Sequence, residues 1–122
     1  MIHFDKVFKR YADQTHALDD VSFSIQPKEF VSIVGHSGAG KTTLLKMILA
    51  EERPSGGKVF FESVNIHKLN RKELTKFRQK IGAVFQDFRL LPQKTAYENI
   101  SFAMEVAGRT DEDIAADVPH VL

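Results

Sequence analysis

A glycine-rich segment of eight residues constrains the fold of this chain more than any other feature of its sequence. Residues 35–42 have the sequence GHSGAGKT, which fits the pattern G-x-x-x-x-G-K-[ST]. An apolar run at residues 30–34 precedes the segment, and apolar residues at helical spacing follow it. Glycines let the backbone wrap around a polyphosphate with successive N–H groups pointing inward, and a helix N-terminus adds the positive end of its dipole. The sequence therefore predicts a phosphate-binding loop between a buried strand and a helix, in an α/β fold.

The residue types in this loop suit a nucleoside triphosphate bound with Mg2+. Lys41 is expected to reach the terminal phosphates, the Thr42 hydroxyl to ligate Mg2+, and Thr43 to donate to the innermost phosphate. The residues predicted to line the nucleotide are Gly35, His36, Ser37, Gly38, Ala39, Gly40, Lys41, Thr42 and Thr43. The alternative is a glycine turn followed by a cation at a helix start. By average residue usage, the bare pattern arises by chance in on the order of one in a few hundred chains of this length. For His36 taken alone, an ordinary solvent-facing loop position is the alternative.

Composition narrows the class of protein without naming a partner. The chain has 122 residues, 43% of them apolar and 27% charged, as in a soluble globular domain. A net charge of +1 creates no long-range field that would attract nucleic acid or anionic lipid. The absence of cysteine excludes a disulfide framework and Cys-ligated zinc, and it favours the cytosol. No apolar run is long enough to cross a bilayer, so we expect any membrane association to be peripheral.

Hydrophobic periodicity predicts strands in the first two thirds of the chain and helices in the remainder. Val21, Phe23 and Ile25 alternate with serines, as in a half-buried strand of a small antiparallel sheet near the N-terminus. Further strands are predicted at residues 30–34, 58–62 and 81–85, the first of them buried on both faces.

Local capping signals place the ends of the predicted helices. The helix after the loop carries Leu45, Ile48 and Leu49 at helical spacing, with Leu44 and Met47 beside them. Asn70 with Glu73 three residues later forms a variant of the capping box, and Leu74 and Phe77 are expected on the inward face of that helix. Gly108 is predicted to end a third helix, and Thr110, followed by three acidic residues, to begin a fourth.

Three further features make the chain resemble the ATP-binding subunit of an ABC transporter. Tyr11 matches the aromatic residue that stacks on adenine in that family, although a core position in a strand is an equal alternative for a lone Tyr. Gln86, directly after the predicted strand at 81–85, matches the family's Q-loop glutamine, which faces Mg2+ and the attacking water. The segments VFQDFRLLP at residues 84–92 and TAYENI at residues 95–100 are also similar to the family. The resemblance extends over the whole chain.

This resemblance implies an α/β P-loop NTPase of the ABC ATPase type, present here as an incomplete domain. Residues 1–94 would hold the N-terminal antiparallel β subdomain and the core up to the Q-loop, and residues 95–122 the start of a helical subdomain. Catalytic roles are implied for Lys41 and Gln86, and ligation of Mg2+ for Thr42 and Gln86.

The resemblance also implies partners and a location. Full-length members of the family dimerise around two ATP molecules, and we expect a homodimer with an integral membrane subunit docked on residues 87–97. The protein would then be cytoplasmic and peripheral on the inner face of the cell membrane. The segments GHSGAG and QDFRLL are most similar to the members that act in cell division, with import, export and lipoprotein release as alternatives.

The family's second half contains motifs that do not occur in this chain. They are an LSGGQ-type signature, a strand ending in Asp-Glu, and a switch histidine. We therefore expect these 122 residues to match the N-terminal portion of a longer protein and not to hydrolyse ATP by themselves at a meaningful rate.

Other classes of function are less well supported by the residues. A guanine-nucleotide switch would need an N-K-x-D motif, which does not occur. Nucleic-acid binding could draw on the basic residues Arg71, Lys72, Lys76, Arg78 and Lys80. Helical spacing spreads these bases around the helix, so a solvated face is favoured and no nucleic-acid partner is expected. A fragment that binds nucleotide without catalysis is the remaining alternative.

Overall fold

The structure, a computed structural model, describes all 122 residues. The chain divides into two compact units, Met1–Arg78 and Gln79–Leu122, and each has its own buried side chains.

The first unit is built on a four-stranded antiparallel sheet. Its elements, in chain order, are β1 (Ile2–Arg10), β2 (His16–Ile25), α1 (Lys41–Ile48), β3 (Gly56–Phe61), β4 (Val64–Asn65), a 3-10 turn (Ile66–Lys68) and α2 (Arg71–Arg78). The strands lie in the order β2-β1-β3-β4, and each neighbouring pair is antiparallel. The predicted N-terminal antiparallel sheet is confirmed, and the strand predicted at 58–62 corresponds to β3.

Apolar side chains from the sheet and both helices form the core of this unit. Phe4, Val7 and Val59 are fully buried on β1 and β3, and Phe4 stacks on the ring of Phe23 with centroids 4.6 Å apart. Met47 of α1 is fully buried too. Burying each such side chain contributes about 1.5–3 kcal/mol to folding, so these contacts attach α1 firmly to the unit.

Side-chain hydrogen bonds fix the start of α2 and the end of α1. The Glu73 N–H donates to Asn70 Oδ1 (3.0 Å) and the Asn70 N–H donates to Glu73 Oε2 (2.9 Å), which confirms the predicted capping box. Arg78 donates from Nε to the Leu49 carbonyl and from Nη2 to the Ala50 carbonyl, both at 3.1 Å. These two carbonyls follow α1, so one of the five predicted surface bases caps the end of that helix.

Two predicted strands do not form. Residues 30–34 and 81–85 are not in a β-ladder, and in the first segment Phe30 and Val34 are 95% and 86% exposed. A strand requires a neighbouring strand for its backbone hydrogen bonds. In this structure the paired strands are β1 with β2, β1 with β3, and β3 with β4, so neither segment has a strand partner. The prediction of a strand buried on both faces was therefore wrong for this structure. Leu45, expected among the apolar residues of α1, is likewise exposed.

The second unit contains the helices α3 (Ala96–Val106) and α4 (Asp111–Val121). Both begin with a complete capping box, Thr95 with Glu98 and Thr110 with Asp113. Gly108 lies between them with a φ of +83°, a left-handed conformation that favours glycine, and the predicted helix end and start are confirmed. Ile114 and Val118 of α4 are buried. No helix in either unit has both the length and the apolar character needed to span a bilayer.

Candidate nucleotide-binding site

The glycine-rich loop leads directly into α1, as the sequence predicted. Gly38 and Gly40 have φ values of +81° and +85°, and the helix begins at the next residue, Lys41. The loop also lies against the sheet, because a Cβ atom on Gly40 would collide with the Ala17 carbonyl oxygen of β2 and would stand 3.0 Å from Leu18 Cδ2. Glycine at this position therefore serves both the left-handed turn and the close approach of the loop to β2.

The Lys41 side chain folds back over the loop. Its Nζ atom donates to the carbonyl oxygens of Gly35 and His36, each at 2.7 Å. An ammonium group has three N–H donors, so two are used by the loop itself and one remains for a ligand. The positive charge of Lys41, the first residue of α1, is thereby held against the start of the loop, and the helix dipole at the same N-terminus also favours an anion.

The two threonines that open α1 have different surroundings. Thr42 is exposed, whereas Thr43 is buried and its Oγ1 lies 3.2 Å from the hydroxyl of Tyr11. The exposed Thr42 hydroxyl, on the second residue of α1, is a hard oxygen donor that suits Mg2+, since this ion takes few protein ligands and keeps phosphate oxygens and waters. The residues present therefore fit a Mg2+–phosphate complex at this end of the helix.

The turn that follows β1 places Tyr11 next to α1. Its N–H donates to the Thr15 carbonyl (3.0 Å), and its carbonyl accepts from the Gln14 N–H (2.9 Å). The side chain is half-buried and lies beyond the end of the strand, so it is not a core strand residue. The structure thus places this aromatic ring beside the first turn of α1.

Sequence reasoning missed a charged pair next to Tyr11. Lys9 Nζ forms an ion pair with Glu52 Oε1 (2.6 Å), donates to the Arg53 carbonyl (2.8 Å) and stands 5.0 Å from the centroid of the Tyr11 ring. The spacing of two residues between Lys9 and Tyr11 could have indicated that these two side chains are near each other, but no local pattern in the sequence indicates Glu52 as the partner of Lys9.

Gln86 lies in the second unit, where it is exposed in the turn after residues 81–85. The structure assigns it no partner that would test its predicted catalytic and metal-binding roles, which stay predictions. The neighbouring Arg89 guanidinium packs 3.7 Å from the centroid of the Phe85 ring.

The segment 87–97 combines exposed apolar side chains with a rigid attachment to α3. Phe88 is 78% exposed and Leu90 is 66% exposed. Asn99 fixes the segment, since its Oδ1 accepts from the Leu91 N–H (2.8 Å) and its Nδ2 donates to three carbonyls of the same segment. A concavity of about 470 Å³ is lined by Leu90, Leu91, Pro92, Lys94, Ala96, Asn99 and Ile100.

A phosphate-binding loop at a helix N-terminus, with a lysine held against the loop and an aromatic ring beside the first turn of the helix, defines a nucleotide-binding protein of the P-loop class. The sequence profile of one family, described as ABC transporter, matches residues 18–121. The chain therefore belongs to the ABC transporter family.

Curated relatives and solved structures agree with this assignment. The chain is 46% identical to the cell division ATP-binding protein FtsE of Mycobacterium tuberculosis and 44% identical to that of Bacillus subtilis. Both alignments cover all of this chain and 54% of the relative. The chain thus spans about half the length of the curated relatives it matches, and the predicted likeness to cell-division members is confirmed.

Among solved structures, the chain is similar to the ATP-binding cassette MJ0796 in a dimeric post-hydrolysis state bound to ADP and Pi. The TM-score is 0.88 at 35% identity, over 98% of this chain and 55% of that one. It is also similar to cbiO1 from Clostridium perfringens, part of the ABC transporter complex cbiONQ. There the TM-score is 0.80 at 30% identity, over 99% of this chain and 48% of that one. The predicted fold class, an ABC-type cassette with an N-terminal antiparallel sheet and helices, is confirmed.

Proposed function

We propose that this chain carries the nucleotide-binding part of an FtsE-like ATPase subunit of an ABC-type complex, with ATP and Mg2+ as its ligands. The observation that carries the proposal is the Lys41 ammonium, held over the loop by the Gly35 and His36 carbonyls at the start of α1. A fixed cation and the positive end of the α1 dipole then lie at the same loop, which is an arrangement that favours a triphosphate.

Each residue of the site has a defined task in this proposal. Lys41 offers its third N–H to the terminal phosphates, and the loop backbone binds the phosphates behind them. Thr42 would hold Mg2+, which supplies charge neutralisation across the phosphates when bound. Tyr11 would receive the base on its ring, and Gln86 would orient the attacking water and complete the metal site.

The assembly and location follow from the relatives and from the exposed segment of the second unit. We propose that the full protein dimerises, as the MJ0796 cassette does in two solved structures. An FtsX-like integral membrane subunit would dock on residues 87–97, whose Phe88 and Leu90 are exposed. The protein would be cytoplasmic and peripheral on the inner membrane face. Within the cassette, residues 1–94 would serve as the β subdomain and core, and residues 95–122 as the start of the helical subdomain.

A second candidate is the ATP-binding subunit of another ABC transporter, one that acts in import, export or lipoprotein release. The likeness to cbiO1, described as part of an ABC transporter complex, favours it, although the identity of 30% is lower than the 46% shared with FtsE.

Calorimetric titration with ATP and Mg2+ tests the proposal. Lys41→Ala should weaken ATP binding by about tenfold or more, because a charge-assisted hydrogen bond contributes roughly 1.5–3 kcal/mol. Lys72→Ala, which removes an exposed lysine of α2, is the matched control and should bind as the parent does. Equal ATP affinity in the parent and in Lys41→Ala would contradict the assignment of the loop.

A further inference from the structure

Lys9 is a cation of the first unit whose ammonium is held by two partners. Its ammonium forms the ion pair with Glu52 (2.6 Å) and the hydrogen bond to the Arg53 carbonyl (2.8 Å), and its side chain is only 13% exposed. Such a lysine is poorly placed to attract a phosphate, because its charge is neutralised and two of its three donors are used. Its remaining neighbour is an aromatic ring.

That neighbour is Tyr11, whose ring centroid lies 5.0 Å from the Lys9 ammonium. A cation within about 6 Å of a ring is attracted to its electron-rich face. The Tyr11 hydroxyl is held separately, at 3.2 Å from Thr43 Oγ1, and the backbone is held by the turn with Gln14 and Thr15. The ring is therefore restrained at its face, at its tip and at its backbone.

Both side-chain restraints lead to the helix that follows the phosphate loop. Thr43 belongs to the first turn of α1, and Glu52 lies just after the end of that helix, where its N–H donates to the Lys46 carbonyl. A rotation of the ring would break its hydrogen bond with Thr43 and its contact with the Lys9 ammonium, which Glu52 holds in place. The position of the ring is consequently tied to the position of the phosphate loop before any ligand arrives.

We propose that Lys9, held by Glu52, is a positioning residue for the nucleotide base and acts through the Tyr11 ring. The inference rests on the proposed function, since it names how the base end of that same site is prepared. Lys9 touches neither base nor phosphate in this proposal. It removes the rotational freedom that the ring would otherwise lose on binding, which raises affinity for a ligand that carries a base and leaves affinity for bare phosphates unchanged.

The test compares ATP with inorganic tripolyphosphate, which has the phosphates and lacks the base. Calorimetric titrations use the full chain as the parent and the variants Lys9→Met and Glu52→Gln. Met keeps the aliphatic length of Lys without its charge. We expect each variant to weaken ATP binding by about threefold to tenfold, the range set by immobilising one side chain on binding. Tripolyphosphate affinity should stay that of the parent. Lys58→Met, which removes an exposed lysine of β3, is the matched control and should change neither affinity.

A double-mutant cycle separates positioning from general stabilisation. Combined with Tyr11→Ala, Lys9→Met should have no further effect on ATP affinity, because the ring through which it acts is gone. Additive losses, or equal losses for ATP and tripolyphosphate, would overturn the inference and leave the proposed function standing. Absence of binding of both ligands by the parent would overturn the proposed function and the inference together.

Discussion

The two left-handed glycines of the phosphate loop permit a comparison in which one variable changes at a time. Gly38 and Gly40 have nearly equal φ values, +81° and +85°. A Cβ atom on Gly38 would meet nothing within 4 Å, whereas one on Gly40 would collide with the Ala17 carbonyl of β2. Replacing either glycine by alanine therefore imposes the same backbone strain, but only the substitution at Gly40 also causes a steric overlap.

The expected magnitudes follow from these two terms. A non-glycine residue in the left-handed region costs about 1–2 kcal/mol, so Gly38→Ala should lower the free energy of unfolding by about that amount. Overpacking against fixed backbone adds roughly 1–3 kcal/mol, so Gly40→Ala should lower it by about 2–5 kcal/mol. The second loss is a large fraction of the 5–15 kcal/mol that is typical of a domain.

Urea denaturation followed by far-UV circular dichroism measures both variants against the parent. With a denaturant slope of about 1–3 kcal/mol per molar, the midpoint of Gly40→Ala should fall below that of Gly38→Ala by on the order of 1 M, with the slope unchanged. Equal midpoints for the two variants would refute the close approach of the loop to β2. A larger effect at Gly38 would refute the reasoning altogether.

Two further predictions concern the second unit. Phe88→Ala combined with Leu90→Ala should reduce membrane recruitment of the full-length protein, because both side chains are exposed on the proposed docking segment. The ATP affinity of this variant should stay that of the parent. Equal recruitment of variant and parent in a flotation assay would reject the proposed docking segment. The pKa of Glu98 is lowered from an ordinary 4.5 to about 2, mainly by the hydrogen bond from the Thr95 N–H and next by the hydrogen bond from Lys94. The stabilising effect of the Glu98 carboxylate on α3 is therefore complete above pH 4.5 and is lost as the pH falls toward 2. Glu98→Gln should therefore differ from the parent in helix stability at pH 6 and match it near pH 2, and a difference that persists at pH 2 would contradict this origin.

Features set by near neighbours in the sequence were predictable. The pairs Asn70 with Glu73 and Thr110 with Asp113 each close a hydrogen-bonded ring over three residues, so residue type and spacing determine the outcome. Gly108 was predicted on the same ground, since only the local φ decides its use. The phosphate loop belongs to this class as well.

Features that need a distant partner were not predictable from local pattern. The apolar run at 30–34 signals a preference for burial, but a strand also needs a neighbour of matching register, and the ladders of this structure are all made by β1 to β4. The run therefore has the composition of a buried parallel strand and the exposure of a loop. The Lys9–Glu52 pair was missed for a related reason, since its two residues meet only after β1 and α1 are both in place.

The contacts of α1 connect both the phosphate loop and Tyr11 to the antiparallel sheet. Gly40, directly before the helix, lies against Ala17 of β2, and Thr43 in its first turn meets the Tyr11 hydroxyl. Glu52, just beyond its end, holds Lys9 of β1. The antiparallel sheet therefore restrains α1 before, at the start of and after the helix, while the segment at 30–34 that precedes the loop has no sheet partner. Since a phosphate loop is only as rigid as the elements that restrain it, the sheet that carries Tyr11 also fixes the loop that carries Lys41 through the close approach of Gly40 to Ala17, and a change that disrupts this approach should weaken phosphate binding even when the Lys9–Glu52 pair is intact.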